Sequence, residues 1–243
     1  DFYEERRRKW RRSAFWRGVF ATLGVFVLLI VAAVVFGDRR PFGDHIAHVA
    51  LNGVIYDDPV LDKVLSEVEK SDNAKALILT INSPGGTTVG SEAVFERLRR
   101  ISAKKPVVAV LGEVAASGGY WLATAADEIF VDDNTIMGSI GVISSMFGFQ
   151  ELIKRHGIER RVHTAGEDKS MLDPFRPERA EDVERLKDLQ RVIHGNFIDH
   201  VKARRGSRLV DRDLFTGEIW VGQKAIDVGL VDGIGHVVPF IQD

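Results

Sequence analysis

The sequence has no cysteine among its 243 residues. Disulfide bonds, thiolate zinc sites and cysteine nucleophiles are therefore excluded, and any nucleophile must be an oxygen or an amine. The sequence also has no internal repeat and no low-complexity segment. Because 45% of the residues are hydrophobic and 28% are charged, we expect a globular chain with one full-sized core.

Charge of either sign is missing from the twenty residues Gly18–Gly37. As a helix, this run is roughly 30 Å long, which matches the hydrocarbon core of a bilayer. Residues 1–17 carry seven basic and three acidic residues, whereas only Arg39 and Arg40 follow the run closely. We therefore predict a transmembrane signal anchor at 18–37 in the inner membrane, with the basic segment 1–17 in the cytoplasm and the remaining chain outside it. A cleaved signal peptide is the alternative. No nucleic-acid role is expected, because a position beside the membrane span explains the basic run.

After a linker at 38–44, strands and helices alternate through a domain at 45–243. The runs "HIAHVALNGVIY" and "AKALILTINS" are apolar and β-branched, and the segment between them has apolar residues at helical spacing. Further on, Pro177–Gly206 has the pattern of a long amphipathic helix. Strands that are apolar on both faces and alternate with helices predict an α/β domain with a largely parallel sheet.

Two glycine-rich turns, "NSPGG" and "AASGG", each follow a predicted strand and precede a predicted helix. Functional groups gather at such strand ends, where glycine lets backbone N–H groups approach a ligand closely. Ser117 is therefore a candidate nucleophile, and the N–H groups of Gly118 and of Gly85 or Gly86 are candidate oxyanion donors. The alternative is that Ser117 only caps a helix and that Gly118 and Gly119 only allow close packing.

A nucleophilic serine needs a base, and none of the seven histidines lies in a turn that would present an imidazole. Lys169, in "TAGEDKSMLDPF", lies in a predicted loop before the long helix. An ordinary amine is about one part in a thousand neutral at pH 7.4, so a lysine base must be desolvated. Met171, Leu172 and Phe175 are candidates for lining such a site, and Glu167 and Asp168 are expected to point to solvent. An exposed loop lysine is the alternative.

The motifs "INSPGG", "AASGGYW", "MGSIGV" and "AGEDKSMLDPF", in this order, resemble the signal peptide peptidase A family over residues 45–236. The resemblance implies a Clp-protease/crotonase-like fold with repeated ββα and βαβ units behind one transmembrane helix. It also implies a Ser117 nucleophile, a Lys169 general base, a Ser139 that orients the lysine, and an oxyanion hole at Gly118 and the Gly85-Gly86 turn. The acidic pair before Lys169 departs from the family's pattern.

The same resemblance implies a serine endopeptidase that degrades remnant signal peptides through an acyl-enzyme, without metal or cofactor. It further implies a homo-oligomer, an octameric ring in which one subunit's lysine serves its neighbour's serine. Two alternatives stay open at this point. One is a crotonase-like acyl-CoA enzyme, and the other is an inactive membrane-anchored scaffold on the same fold.

Overall fold

The computed structural model describes residues 2–36 and 43–237. The chain forms two compact units, Asp1–Gly43 and Asp44–Asp243.

The first unit is one long helix, α1 (Phe2–Phe36). Its most apolar part, Ala14–Ala32, has a mean hydropathy of 2.1, and none of it is buried. By length and composition this segment is able to cross a membrane, although a signal sequence has the same properties. The predicted span at 18–37 overlaps this window, while Gly37 and most of the predicted linker lie outside the described residues.

The second unit contains one sheet of seven strands, in which β1, β2, β3, β4 and β7 lie side by side in this order and run parallel. A sixth strand, β5, pairs in parallel with the last three residues of β3, and on its other side it pairs with the antiparallel strand β6. This architecture confirms the predicted α/β fold class with its parallel-rich sheet. The strands are β1 (His45–Asn52), β2 (Ala74–Ser83), β3 (Val107–Ala116), β4 (Glu128–Val131), β5 (Ile136–Gly138), β6 (Ile219–Val221) and β7 (Gly233–Ile234).

Six α-helices are described in this unit, and they connect or cover the strands. They are α2 (Pro59–Lys70), α3 (Thr88–Ser102), α4 (Gly118–Ala123), α5 (Gln150–Arg155), α6 (Ala180–Arg205) and α7 (Gly222–Asp227). The core lies between the sheet and α3, α4 and α6, where the side chains of Leu79, Leu98, Leu111 and Phe197 are almost fully buried. The long strands β2 and β3 lie in the middle of the sheet, which explains their nearly continuous apolar sequence.

The long helix α6 is fixed to the short helix α4 by aromatic packing. The rings of Trp121 on α4 and Phe197 on α6 stack with their centroids 4.8 Å apart, and His200 lies 5.1 Å from Trp121. This contact matters for the site, because α4 starts directly after Ser117 and α6 follows the loop that carries Lys169.

Candidate active site

Ser117 occupies a sharp turn between the last residue of β3 and the first residue of α4. Its backbone has φ 51° and ψ −121°, a conformation that costs a residue other than glycine about 1–3 kcal/mol. Two backbone hydrogen bonds hold this turn: Ser117 N–H donates to Gly138 O over 2.8 Å, and Trp121 N–H donates to Ser117 O over 2.9 Å. The Ser117 side chain makes no capping hydrogen bond, so the helix-cap alternative does not account for it.

The glycines of the two predicted turns meet around Ser117. A Cβ atom added to Gly85 would lie 2.9 Å from Ser117 Cβ and 3.0 Å from Gly118 N, and one added to Gly118 would lie 3.2 Å from Gly86 N. At Gly118 the nearest atom to an added Cβ would be Ser91 Oγ, at 2.4 Å, so a larger residue at either position would force its neighbours to shift. The structure thus brings the two predicted turns together beside Ser117.

The N–H groups of Gly85 and Gly86 differ in whether they are available to a ligand. Gly85 N–H donates to the buried Ser83 Oγ over 3.1 Å. Gly86 N–H has no hydrogen-bond partner within the described part of the chain, and Gly118 N–H belongs to the first residue of α4, where no intrahelical acceptor exists. Of the alternatives left open by the sequence, Gly86 and Gly118 are thus the two whose N–H groups have no acceptor among the described residues.

Ser139 lies beside Ser117 because their strands are paired. Ala116 on β3 is aligned with Gly138 on β5, so that Ser117 and Ser139 are the next residues at the same end of two neighbouring strands. Ser139 also has a positive φ, 48°, and its N–H donates to Glu218 O over 2.8 Å. The side-chain ring of His194, on α6, lies 3.1 Å from Ile140 O and supports the same turn.

Lys169 is exposed on a 3-10 turn, Glu167–Ser170, where the sequence predicted an irregular loop. Among residues 43–237 no hydrogen bond or ion pair involves its amine, and the single chain does not join it to Ser117 or Ser139. Of the side chains proposed to line its site, Met171 and Leu172 are half-buried, and Phe175 is exposed and stacks on Phe149.

The two carboxylates before Lys169 have different environments. Glu167 is exposed, as predicted. Asp168 is exposed as well, as predicted, but its carboxylate also forms ion pairs with Arg179 at the N-cap of α6 and with Arg185 on α6, which the prediction did not include. These arginines lie 11 and 17 residues further along the chain, and no local sequence pattern points to them. Ser83, which holds the Gly85 turn, was also missed, although it lies inside the "NSPGG" motif.

A strained serine at a strand-to-helix turn, flanked by free backbone N–H groups on a parallel α/β sheet, is the arrangement of a serine hydrolase of the Clp-protease type. Family models agree: Clp protease matches residues 47–138, and peptidase family S49 matches residues 99–242. The chain belongs to peptidase family S49, and the resemblance to signal peptide peptidase A is confirmed at the level of this family. Membership of this peptidase family disfavours the acyl-CoA alternative.

Two of three similar proteins carry protease names, and the third carries the name of a transporter. The chain is 37% identical over 182 residues to Protease 4 of Haemophilus influenzae, covering 71% of this chain and 28% of that protein. It is 34% identical to the chloroplastic serine protease SPPA of Arabidopsis thaliana, covering 72% of this chain and 26% of that protein. It is also 50% identical over 182 residues to a protein of Brucella melitensis named Na(+)/H(+) antiporter NhaA. This match covers 74% of this chain and 25% of that protein. The chain thus spans about a quarter of each of these relatives.

Proposed function

We propose that this chain is a membrane-anchored endopeptidase that hydrolyses peptide bonds through an acyl-enzyme formed on Ser117, with Lys169 as the general base. The observation that carries the proposal is the conformation of Ser117. Its positive φ presents the hydroxyl at a partly exposed turn, beside the free N–H groups of Gly86 and Gly118. Strain of this kind at one serine is explained if the turn has a catalytic role.

The proposed reaction has two halves. In the first, neutral Lys169 accepts the Ser117 proton, Oγ bonds to the scissile carbonyl carbon, and the N–H groups of Gly86 and Gly118 bind the oxyanion. Each donor contributes about 3–4 kcal/mol to the transition state. The ammonium then returns the proton to the leaving amine as the peptide bond breaks. In the second half, Lys169 activates water, and the acyl-enzyme is hydrolysed.

Ser139 is proposed to orient Lys169. Its position next to Ser117 at the end of the paired strands supports this role, because a lysine that reaches Ser117 also comes within reach of the Ser139 hydroxyl. Since Lys169 is exposed in the single chain, we propose that it serves the serine of an adjacent subunit in an octameric ring. Exposed apolar side chains in segment 143–158 support assembly, notably those of Ile143 and Phe147, which are 87% and 81% exposed.

Remnant signal peptides are the proposed substrates. An apolar peptide left in the bilayer reaches a site that is held near the membrane by α1, whose window Ala14–Ala32 is long enough to span it. The proposed arrangement places residues 1–17 in the cytoplasm, the span at 18–37, a linker at 38–44 and the catalytic domain outside the inner membrane. The relatives named as proteases support the reaction, and the apolar helix supports the location.

A serine-directed fluorophosphonate tests the nucleophile in the full-length, detergent-solubilised protein. We expect covalent labelling that maps to Ser117, and no labelling in Ser117→Ala, while Ser207→Ala, a change of an exposed serine on the turn after α6, keeps the label. Labelling of Ser117→Ala at the wild-type rate would refute the assignment. A complete lack of labelling in the wild type would instead favour the inactive scaffold.

Hydrolysis of a signal-peptide library tests the base and the substrate class together. Lys169→Ala should abolish turnover, whereas Lys63→Ala, at an exposed position on helix α2, should not change it. If Lys169 acts on a neighbouring subunit, mixing inactive Ser117→Ala with inactive Lys169→Ala under subunit exchange should restore part of the activity. Absence of recovery in rings shown to be mixed would contradict a shared dyad.

A further inference from the structure

The residue before the proposed base carries the opposite charge. A carboxylate next to a lysine stabilises its ammonium form, and the ammonium form cannot accept a proton. Asp168 therefore conflicts with the proposed role of Lys169, unless other groups neutralise its carboxylate. In the structure, two arginines contact this carboxylate.

Both oxygens of the Asp168 carboxylate are engaged by arginines. Oδ1 lies 3.6 Å from Arg179 Nη2, and Oδ2 is in direct contact with Arg185 Nη1. Arg185 is on α6, and Arg179 immediately precedes it. The carboxylate of Asp168 thus bridges two arginines, one at the N-cap of α6 and one on α6 itself.

Arg179 is itself fixed in place by a second carboxylate. Its Nε donates to Oδ2 of Asp182 over 2.9 Å, and Asp182 is 5% exposed. Hydrogen bonds from Arg179 lower the pKa of Asp182, so this partner stays ionised through the neutral range. The other side of the Lys169 turn is tied as well, because Arg176 Nη1 donates to Ser170 Oγ over 3.0 Å. The residues immediately before and after Lys169 are both held.

We propose that Asp168 is a positioning residue for Lys169: its ion pairs with Arg179 and Arg185, here called the arginine clamp, fix the turn of the base to the start of α6 and neutralise the adjacent carboxylate. This inference rests on the proposed role of Lys169 as general base. Since α6 stacks on α4 through Phe197 and Trp121, the clamp anchors the turn to the rigid body of the domain.

The charged groups around the turn balance one another. Three carboxylates and three arginines lie here: Glu167 and Asp168 on the turn itself, Arg176 on the following loop, Arg179 at the N-cap of α6, and Asp182 and Arg185 on α6. Neutralising Asp168 therefore removes a negative charge, whereas neutralising Arg185 removes a positive one. Both changes break the ion pair that fixes the turn to α6. A role limited to general stability would not give opposite electrostatic effects.

The test compares Asp168→Asn with Arg185→Gln in the full-length oligomeric protein, with kcat/KM measured against pH. Both variants should lose about tenfold in kcat/KM at the optimum, because a misplaced base is costly. The acid limb of the profile, which reports deprotonation of the base, should move in opposite directions. It should move to lower pH in Asp168→Asn and to higher pH in Arg185→Gln, by about 0.4 pH units each for a unit charge ~7 Å away in water.

Matched controls distinguish the effect of the clamp from a general effect of charge and from a loss of folded protein. Arg191→Gln makes the same change further along α6, where the arginine pairs with Glu184 and Asp188 and not with Asp168, and should leave the profile unchanged. Glu167→Gln removes a carboxylate from the same turn without touching the clamp and should keep the optimal rate. Because the Asp168 ion pairs are about half exposed, the melting temperature should change little in either clamp variant. A charge swap, Asp168→Arg with Arg185→Asp, should recover part of the lost rate.

Three outcomes overturn the proposal. Wild-type rates in both clamp variants would show that Asp168 does not position the base. Shifts of the acid limb in the same direction, or a rate loss fully explained by unfolding, would show a merely structural role. If Lys169→Ala remains active, the proposed base itself fails, and this result is distinguishable because it does not depend on the clamp variants.

Discussion

Replacing Gly85 by alanine is the most direct test of the oxyanion hole. At φ 112° an alanine is strained by about 1–3 kcal/mol, and its methyl group would lie 3.0 Å from Gly118 N and 2.9 Å from Ser117 Cβ. A substrate oxyanion needs to be 2.7–3.1 Å from the same N–H group. The methyl carbon would therefore crowd the space beside Gly118 N, where the oxyanion is proposed to bind.

The expected loss is that of at least one oxyanion donor, which is about 3–4 kcal/mol, or a 10²- to 10³-fold decrease in kcat. Steady-state hydrolysis of a signal peptide gives kcat, and the rate of fluorophosphonate labelling gives the reactivity of Ser117 without a leaving peptide. Both rates should decrease, because both transition states develop negative charge on an oxygen at the same position.

The matched control is Gly206→Ala. Gly206 also has a positive φ, 46°, but no atom lies within 4 Å of the position of an added Cβ. This variant carries backbone strain without obstruction, so it should lower the melting temperature slightly and keep kcat. If Gly85→Ala is folded and its kcat stays within about threefold of wild type, Gly118 N–H does not bind the oxyanion and the reasoning is refuted.

Three further predictions concern the support of the site, the core and the anchor. Ser83→Ala leaves the buried Gly85 N–H without its acceptor and should cost about 1–3 kcal/mol in the free energy of unfolding, measured with urea, together with slower labelling of Ser117. Asp232→Asn breaks the ion pair with Arg205, whose side chain is 3% exposed, and should cost about 3 kcal/mol. Burial alone would raise the pKa of Asp232, but hydrogen bonds from Arg205 and Ile129 outweigh burial and lower the pKa. The wild type should therefore lose this contribution to stability as the pH falls through the lowered pKa, whereas the Asn variant should not. Thermal unfolding measured between neutral and acidic pH checks this. Leu23→Arg places a charge at the centre of the apolar window and should cost about 3 kcal/mol in membrane insertion, which is measured as protein released from membranes by alkaline extraction.

The sequence was sufficient for the elements whose patterns are local. Strand β2 was predicted at its observed bounds, Ala74–Ser83, because ten residues of apolar and β-branched sequence have no helical period. The long helix α6 was predicted within three residues at its start and one at its end from its 3.6-residue periodicity. The Ser117 turn was found because two glycines after a serine are costly in a helix unless the backbone is needed there.

Elements that depend on distant partners were not predicted. The apolar pattern of β3 stops at Gly112 and Glu113. The strand nevertheless continues to Ala116, because β5 pairs with its last three residues. Strands β6 and β7 are two or three residues long and form only against partners elsewhere in the sheet. The arginine clamp joins a turn to a helix, and ion pairs of this kind leave no period in a sequence.

The two halves of the proposed dyad have different physical support within one chain. Ser117 and its donors are fixed by a paired strand end and three glycines, so this half is already rigid. Lys169 lies on a turn that the ion pairs of Asp168 tie to the start of α6, but its side chain is exposed. A lysine must be shielded from water before it can act as a base, and we propose that another copy of the chain, packed against the exposed apolar segment 143–158, provides the cover. Specific activity should therefore increase with protein concentration until assembly is complete, while fluorophosphonate labelling and turnover increase together. Constant specific activity on dilution to monomers, verified by light scattering, would show that one chain desolvates its own lysine.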